Sequence, residues 1–218
     1  NEGSGEQPYM IANNVSAVVA LVQMGVLEIH PWGSRTPKLG RPDRLIFDLD
    51  PDESLEWARV VDAATVIRKL LDTLGLHCFV KTTGGKGLHV VMPVAPTREW
   101  DEAKQFCKTV AEILVRTFPD RFTSKMTKST RTGRIFIDYL RNAENATAIA
   151  AYSARAKAHA PVAMPVAWSQ LKDELRYAHF NVRNVPALLR KRRRDPWAEM
   201  ADVRQTLTDA MLRNVGLG

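Results

Sequence analysis

Apolar residues alternate with polar ones in several short stretches of the chain and recur every three or four positions in longer ones. Alternation predicts β-strands, and the longer period predicts amphipathic helices. Because strands and helices are interspersed and two strands are joined as a hairpin, we expect an α+β fold with a mixed or antiparallel sheet. The predicted strands are 26–32, 44–50, 76–83, 87–94 and 134–140, and the predicted helices are 13–24, 55–75, 98–117, 168–177, 186–194 and 196–213.

Residues that begin and end helices support two of these predictions. Asn13 or Asn14 is a suitable N-cap for the first helix and Ser54 for the second, while Gly25 and Gly75 follow their last turns. These positions make the first two predicted helices the ones with the best-defined ends.

The length and composition of the chain are those of one folded domain. With 218 residues, 45% of them hydrophobic, the chain can fill one sizeable core or at most two small ones. Residues 1–9 are polar and are expected to be a disordered or linker segment, which leaves residues 10–218 as the domain.

Charge and cysteine content narrow the partners and the compartment. The formal net charge is +7, which favours polyanions such as nucleic acid, although a merely basic protein would show the same balance. Cys78 and Cys107 lie apart among apolar residues, which indicates buried thiols in a reducing compartment. No apolar run reaches membrane-spanning length and no signal peptide is visible, so we expect a cytoplasmic protein without membrane contact.

Two acids close the strand predicted at 44–50. Residues i and i+2 of a strand point to the same face, so Asp48 and Asp50 project together. A divalent cation bound between them would relieve the repulsion of the two carboxylates. The pattern therefore predicts a metal site, although two solvent-facing acids at the start of a turn would look the same.

A third acid lies in the apolar segment RIFIDYL. Asp138 would be costly to bury there without a partner. It is either a third metal ligand or the ion-pair partner of Arg134 or Arg141. Three carboxylates from two strands would suit a two-metal site for phosphoryl transfer.

The segment KTTGGKGLHVV has the composition of a phosphate-binding turn. Glycines allow backbone N–H groups to approach a phosphate closely, and neighbouring hydroxyl, ammonium and imidazole groups add donors. A plain glycine hairpin with a core histidine is the alternative, and the Walker A pattern is absent. The candidate residues are Thr83, Gly84, Gly85, Lys86 and His89.

Further basic candidates lie on either side. Arg141 and Arg155 suit triphosphate oxygens because a guanidinium is planar and has several donors, although surface arginines are also common. His30, in EIHPW, is more typical of a structural histidine on its own.

Taken together, HPWG, IFDLDP, KTTGGKGLHVV, DYLRN and AYSARA resemble the polymerase domain of bacterial ATP-dependent DNA ligase D, a member of the archaeo-eukaryotic primase superfamily. The resemblance implies a primase-like domain with mixed or antiparallel sheets around a central cleft flanked by helices. It implies that Asp48, Asp50 and Asp138 are metal ligands. It further implies that the incoming nucleotide is contacted by the residues already named, which are His30, Thr83, Gly84, Gly85, Lys86, His89, Arg141 and Arg155.

The resemblance also implies an activity and partners. We expect a nucleotidyltransferase that uses two Mn²⁺ or Mg²⁺ ions to add NTPs or dNTPs to a 3′-hydroxyl. Its setting would be non-homologous end joining, beside Ku and a ligase domain, on DNA ends with a primer-template and a 5′-phosphate. A monomer associated with the bacterial nucleoid is expected. Lys125, Lys128 and Arg131 are candidate contacts to DNA.

Two alternatives remain at this point. The family domain carries a further N-terminal segment, which this sequence is expected to lack, so a non-catalytic module that binds nucleotides or DNA ends is one alternative. A haloacid-dehalogenase-type phosphatase is the other, because LIFDLDP resembles the nucleophile strand of that family.

Overall fold

A computed structural model describes residues 9–171 and 179–217 of the chain. In that part, six strands form one sheet in the order β4-β5-β1-β3-β2-β6. Neighbouring strands are antiparallel except β4 and β5, which are parallel. The strands are β1 (Arg44–Pro51), β2 (Phe79–Thr82), β3 (Leu88–Pro93), β4 (Phe122–Thr123), β5 (Ile135–Asp138) and β6 (Pro165–Val166).

The α+β class and the mixed sheet are therefore confirmed. The hairpin predicted within 76–94 is confirmed as β2 and β3. The resemblance implied more than one sheet, and that expectation is wrong for the described residues, where residues outside the single sheet form only isolated bridges. The short strands β4 and β6 were not predicted, because two residues are too few to show alternation.

Five α-helices lie in the same part of the chain. They are α1 (Val15–Gln23), α2 (Trp57–Thr73), α3 (Trp100–Thr117), α4 (Val185–Lys191) and α5 (Asp209–Asn214). Asn14 caps α1 as predicted, because its side-chain oxygen accepts a hydrogen bond from the Ala17 amide at 2.8 Å. None of the described helices is long and apolar enough to cross a membrane.

The predicted cap of the second helix is wrong. The Ser54 hydroxyl donates to the Asp52 carboxylate within a turn, and α2 begins later, with Glu56 at the N-cap position. The residue after the C-cap, Gly75, has a φ of +72°, which agrees with the predicted end of this helix.

The two long helices cover one face of the sheet. Alternate residues of β1, namely Leu45, Phe47 and Leu49, are fully buried against α2 and α3. The two cysteines are buried on this side as predicted, and neither forms a disulfide. This face is the main hydrophobic core, so the residues between these apolar ones must point the other way.

The opposite face of β1 is covered by later segments. Ile46 and Val91 pack there with Ala148, Trp197 and Met200. The strand is also held in place by a buried asparagine, since the Asn142 side chain hydrogen-bonds to both the amide and the carbonyl of Ile46, at 2.7 and 2.8 Å. The remainder of this face, toward the end of β1, is left open for a site.

Two segments differ from their predicted structure. Residues 26–32 alternate like a strand but run outside the sheet, where the backbone of residues 148–150 donates to the carbonyls of Ile29 and Pro31. The long helix predicted at 196–213 is instead a short 3-10 turn (Ala198–Ala201), an extended stretch and α5.

Some predictions lie at the limits of the described residues. The helix predicted at 168–177 is a 3-10 turn over Trp168–Gln170, and residues 172–178 lie outside the described part. Of the predicted linker, residues 1–8 also lie outside it, and the ring of Tyr9 packs on that of Trp32 at 4.6 Å.

Candidate functional site

A row of four ionisable residues crosses the open face of the sheet. In the strand register, Lys81 of β2 pairs with His89 of β3, His89 pairs with Asp48 of β1, and Asp48 pairs with Asp138 of β5. We call these four residues the transverse row. All four are buried, which places a line of charged and polar groups directly beneath the open end of the face.

Asp48 lies at the centre of this row and is 6% exposed. Its Oδ1 lies 3.3 Å from the Nε2 of His89, and its Oδ2 lies 3.4 Å from the Nε of Arg141. The contact with His89 lacks hydrogen-bond geometry, so Oδ1 is a buried oxygen without a hydrogen-bond partner. Burial alone would raise the pKa of Asp48, but His89 and the nearby cations hold that pKa below its usual value.

The other two carboxylates lie close enough to influence each other and Asp48. Burial, and then the negative charges of Asp48 and Asp138, raises the pKa of Asp50 to about 6. Burial also raises the pKa of Asp138, although the Leu140 amide donates to its Oδ1 at 2.8 Å. Three acids in this position repel one another and would be stabilised by added positive charge.

Arg141 supplies some of that charge. Its Nε lies 3.3 Å from an oxygen of Asp138 and 3.4 Å from one of Asp48, so the guanidinium lies between these two carboxylates. The ion pair between Asp138 and Arg141, one of the alternatives raised by the sequence, is therefore present. In residues 9–171 and 179–217, no group of three or more His, Cys, Asp or Glu side chains is arranged to hold a metal ion as it stands.

The chemistry of the three acids nevertheless fits divalent cations. Mg²⁺ and Mn²⁺ prefer oxygen ligands, and Asp48 offers a buried oxygen without a hydrogen bond. A cation among the acids would replace the charge that Arg141 now provides. The side chain of Arg141 is 42% exposed, so solvent borders it on the side away from the acids. The three-carboxylate metal site stays a prediction.

The glycine turn (residues 83–87) forms the next wall of the site. The Thr83 hydroxyl donates to the carbonyl of Gly87 at 3.2 Å and accepts from the amide of Gly85 at 3.2 Å, which closes the turn. Gly84 has a φ of +67°, a conformation that side chains other than glycine rarely adopt. The hydroxyl of Thr83 is thus used to shape the turn. Lys86, at the tip, pairs with the exposed Glu53 at 3.3 Å.

His89 and Lys81 both have unusual ionisation. Burial, followed by the charge of Lys81, lowers the pKa of His89 to about 4, so its ring is neutral at physiological pH. Burial lowers the pKa of Lys81 to about 7, and its Nζ has no hydrogen-bond partner. Lys81 was not predicted as a site residue, because a lysine in an alternating strand is usually exposed.

Arg155 and His30 meet on the far side of the glycine turn. Arg155 donates to the carbonyl of Thr83 at 2.7 Å, and both Arg155 and His30 hydrogen-bond to Glu28. Glu28 was not predicted as a site residue. The signal available in the sequence was its position two residues before His30, which on an extended segment puts both on one side.

One cleft of about 680 Å³ brings these groups together. Asp138 and the predicted DNA contacts Lys125 and Lys128 do not line it, and those two lysines are exposed on the loop that follows β4. Lys157 and His159 line the cleft and were not predicted. The lining includes His30, Asp48, Asp50, Thr83, Gly84, Gly85, Lys86, Gly87, His89, Arg131, Arg141, Arg155, Lys157 and His159.

Acidic and basic groups in the same cleft define a class of site. Phosphate-bearing ligands are bound by arginines, lysines and glycine-rich turns, and the metal ions that accompany them are bound by carboxylates. The fold and the cleft together therefore define an α+β domain built to hold a phosphate-bearing ligand at the end of a mixed sheet.

Comparison with known proteins identifies the family. A family model described as LigD, primase-polymerase domain, matches residues 1–197. The multifunctional non-homologous end joining protein LigD of Pseudomonas aeruginosa is 42% identical over 216 residues, which is 98% of this chain and 26% of that protein. The bifunctional LigD protein of Bacillus subtilis is 30% identical over 189 residues, 86% of this chain and 31% of that protein. The chain belongs to the LigD primase-polymerase domain family.

A solved structure agrees with this result. The polymerase domain of Mycobacterium tuberculosis ligase D, in complex with DNA, matches with a TM-score of 0.75 and 33% identity, over 85% of this chain and 69% of that one. The chain spans only about a quarter to a third of the length of the full LigD relatives. Membership of this family confirms the resemblance drawn from the sequence. The haloacid-dehalogenase-type phosphatase alternative is therefore wrong.

Proposed function

We propose that the chain is a DNA-repair enzyme, a nucleotidyltransferase that adds NTPs or dNTPs to a 3′-hydroxyl at DNA ends during non-homologous end joining. The observation that carries the proposal is the convergence of Asp48, Asp50, a glycine turn and several basic side chains on one cleft, with Asp138 paired to Asp48 on the adjacent strand. Family membership supports the setting, because the relatives are named as end-joining proteins and one related domain was solved with DNA.

In this proposal Asp48, Asp50 and Asp138 hold two Mn²⁺ or Mg²⁺ ions. Such ions, when bound, lower the pKa of an attacking hydroxyl and stabilise a leaving pyrophosphate. The raised pKa of Asp50 supports this role, since a carboxyl that resists ionisation alone gains most from a nearby cation. Arg141, released from the acids, would then turn to the triphosphate.

The other side chains would bind the nucleotide. The neutral ring of His89 lines the cleft beside Asp48 and would lie next to a phosphate or sugar oxygen of the nucleotide. Arg155 and the glycine turn form the wall against which the triphosphate would lie. His30 and Lys86 line the same cleft and complete the set of proposed contacts.

The DNA partner would lie along the basic side of the cleft. Arg131 lines the cleft with its guanidinium packed over the ring of Phe136 at 3.9 Å, and Lys125 and Lys128 belong to the same loop. Phosphate contacts by these residues would make binding depend steeply on salt. Ku, a ligase domain and the monomeric state are proposed on the resemblance alone.

Replacing Asp138 by alanine tests the three-carboxylate site. We expect primer extension with Mn²⁺ to fall by about 10²-fold or more, because a metal ligand contributes several kcal/mol of charge stabilisation. The exposed acid Asp202, replaced by asparagine, is the control and should leave extension unchanged. Undiminished primer extension by the Asp138→Ala variant would refute the three-carboxylate mechanism.

A further inference from the structure

Glu28 lies where the extended segment before Trp32 meets the wall of the cleft. Its side chain is 23% exposed and accepts three hydrogen bonds. Its Oε2 accepts from the Nε2 of His30 at 2.8 Å and from the Nε of Arg155 at 3.0 Å, and its Oε1 accepts from the Ala156 amide at 2.7 Å. One carboxylate therefore connects two of the groups proposed to bind the nucleotide.

Arg155 is fixed by contacts on three sides. Glu28 accepts from its Nε, and the carbonyl of Thr83 accepts from its Nη1 at 2.7 Å. Its Cγ lies over Gly84 so closely that a Cβ on that glycine would come within 2.6 Å of it. Without Glu28 the guanidinium would keep one hydrogen bond to the turn and could rotate about it.

His30 is oriented by the same oxygen. An ionised carboxylate only accepts hydrogen bonds, so the Nε2–H of His30 is directed at Glu28 and the plane of the ring is fixed. Burial alone would raise the pKa of Glu28, but the hydrogen bonds from His30, Ala156 and Arg155 lower it to about 2. The carboxylate is thus ionised whenever the enzyme would work.

A negative charge here needs an explanation, since it contacts two residues that line a cleft proposed to hold a polyanion. Its nearest neighbours are the guanidinium of Arg155 and the ring of His30, so much of its charge is compensated locally. Glu28 also lies outside the three acids of the proposed metal site. Orientation of Arg155 is the role that the contacts support.

We propose that Glu28 is a positioning residue, which is itself braced by His30 and holds Arg155 in the orientation that binds the triphosphate of the incoming nucleotide. This inference rests on the proposed function and deepens it. Since Glu28 acts through Arg155, its removal should matter only while Arg155 is present.

The test measures binding of a fluorescent ATP analogue with Mn²⁺ to wild type, Glu28→Gln, Glu28→Asp, Arg155→Ala and the double variant Glu28→Gln/Arg155→Ala. We expect Glu28→Gln to raise the Kd about tenfold, with a matching rise in KM and an unchanged melting temperature. Glu28→Asp, which keeps the charge, should recover part of the affinity. In the double variant the loss should equal that of Arg155→Ala alone.

The control is Glu199→Gln, an exposed acid that also pairs with an arginine, Arg194, at 2.7 Å and lies outside the cleft. It should bind the analogue like wild type. If Glu28→Gln binds like wild type, or if its effect adds fully to that of Arg155→Ala, the role of Glu28 is refuted while the proposed function stands. If wild type does not bind the analogue at all, the proposed function fails, and the role of Glu28 fails with it.

Discussion

Replacing Lys81 with methionine removes a buried ammonium group and keeps the length of the side chain nearly unchanged. Lys81 is 2% exposed, and its Nζ has no hydrogen-bond partner. Burial lowers its pKa from 10.5 to about 7, and the attraction of Asp48 offsets this only in part. Keeping Lys81 protonated therefore lowers the stability of the folded state, whereas in the unfolded chain the ammonium group is solvated.

The sign and size of the effect follow from proton binding. Between pH 7 and pH 10.5 the unfolded chain holds the proton of Lys81 while the folded chain has released it. Because the unfolded state binds more protons there, the free energy of unfolding rises with pH across this window, and the cost is fully present below it. One group contributes at most about 1.4 kcal/mol per pH unit, and about half of the folded chains still hold the proton at pH 7, so the gain from pH 7 to pH 9 is about 2 kcal/mol.

Urea unfolding at pH 7, 8 and 9 without divalent ions measures this gain. We expect Lys81→Met to be more stable than wild type at pH 7, with an advantage that is about 2 kcal/mol smaller at pH 9. Lys108→Met, which changes a lysine whose side chain is 40% exposed on α3, should follow the wild-type curve. If Lys81→Met and wild type show the same dependence on pH, Lys81 does not ionise as the structure indicates.

Two further predictions concern the strands that carry the acids. In Gly87→Ala, the new Cβ would lie within 3.0 Å of the Leu49 carbonyl oxygen, so the free energy of unfolding should fall by about 1–3 kcal/mol and the rate of primer extension by a larger factor. Gly40→Ala, with open space around the new Cβ, is the control and should show neither change. A wild-type urea midpoint for Gly87→Ala would contradict the close packing. Asn142→Ala leaves the buried amide and carbonyl of Ile46 without their side-chain hydrogen bonds, so the free energy of unfolding should fall by about 2–4 kcal/mol in thermal or urea unfolding. A fall of less than about 1 kcal/mol would mean that β1 does not depend on this contact.

The pairing of acids within β1 is a part of the site that sequence alone predicts. Asp48 and Asp50 share a face because side-chain direction in a strand depends only on local geometry. Their placement beside His89 and Asp138 depends on the register between distant segments, which no local pattern encodes. The sequence predicted this placement only through its resemblance to a known family, in which the same motifs occur in the same order.

The failed predictions share a physical cause. Residues 26–32 alternate like a strand, but their backbone and Glu28 bond to residues 148–156 instead of to the sheet. The helix predicted at 196–213 is interrupted at Gln205, whose side chain binds the backbone of His77 and the carbonyl of Pro93. In each case contacts with distant segments outweigh the local preference for a strand or a helix. The same holds for the burial of Lys81, which lies beside Trp197.

The transverse row also sets how the strand can change in evolution. Since neighbouring residues of β1 face opposite sides, inserting or deleting one residue before Asp48 would turn Phe47 or Leu49 toward the cleft and push a carboxylate into the apolar core. The same change would separate Asp48 from its partners on both adjacent strands. The loops at either end of β1 can therefore vary in length. Within β1, however, one register serves both the apolar core and the carboxylates, so a shift of one residue would disrupt both.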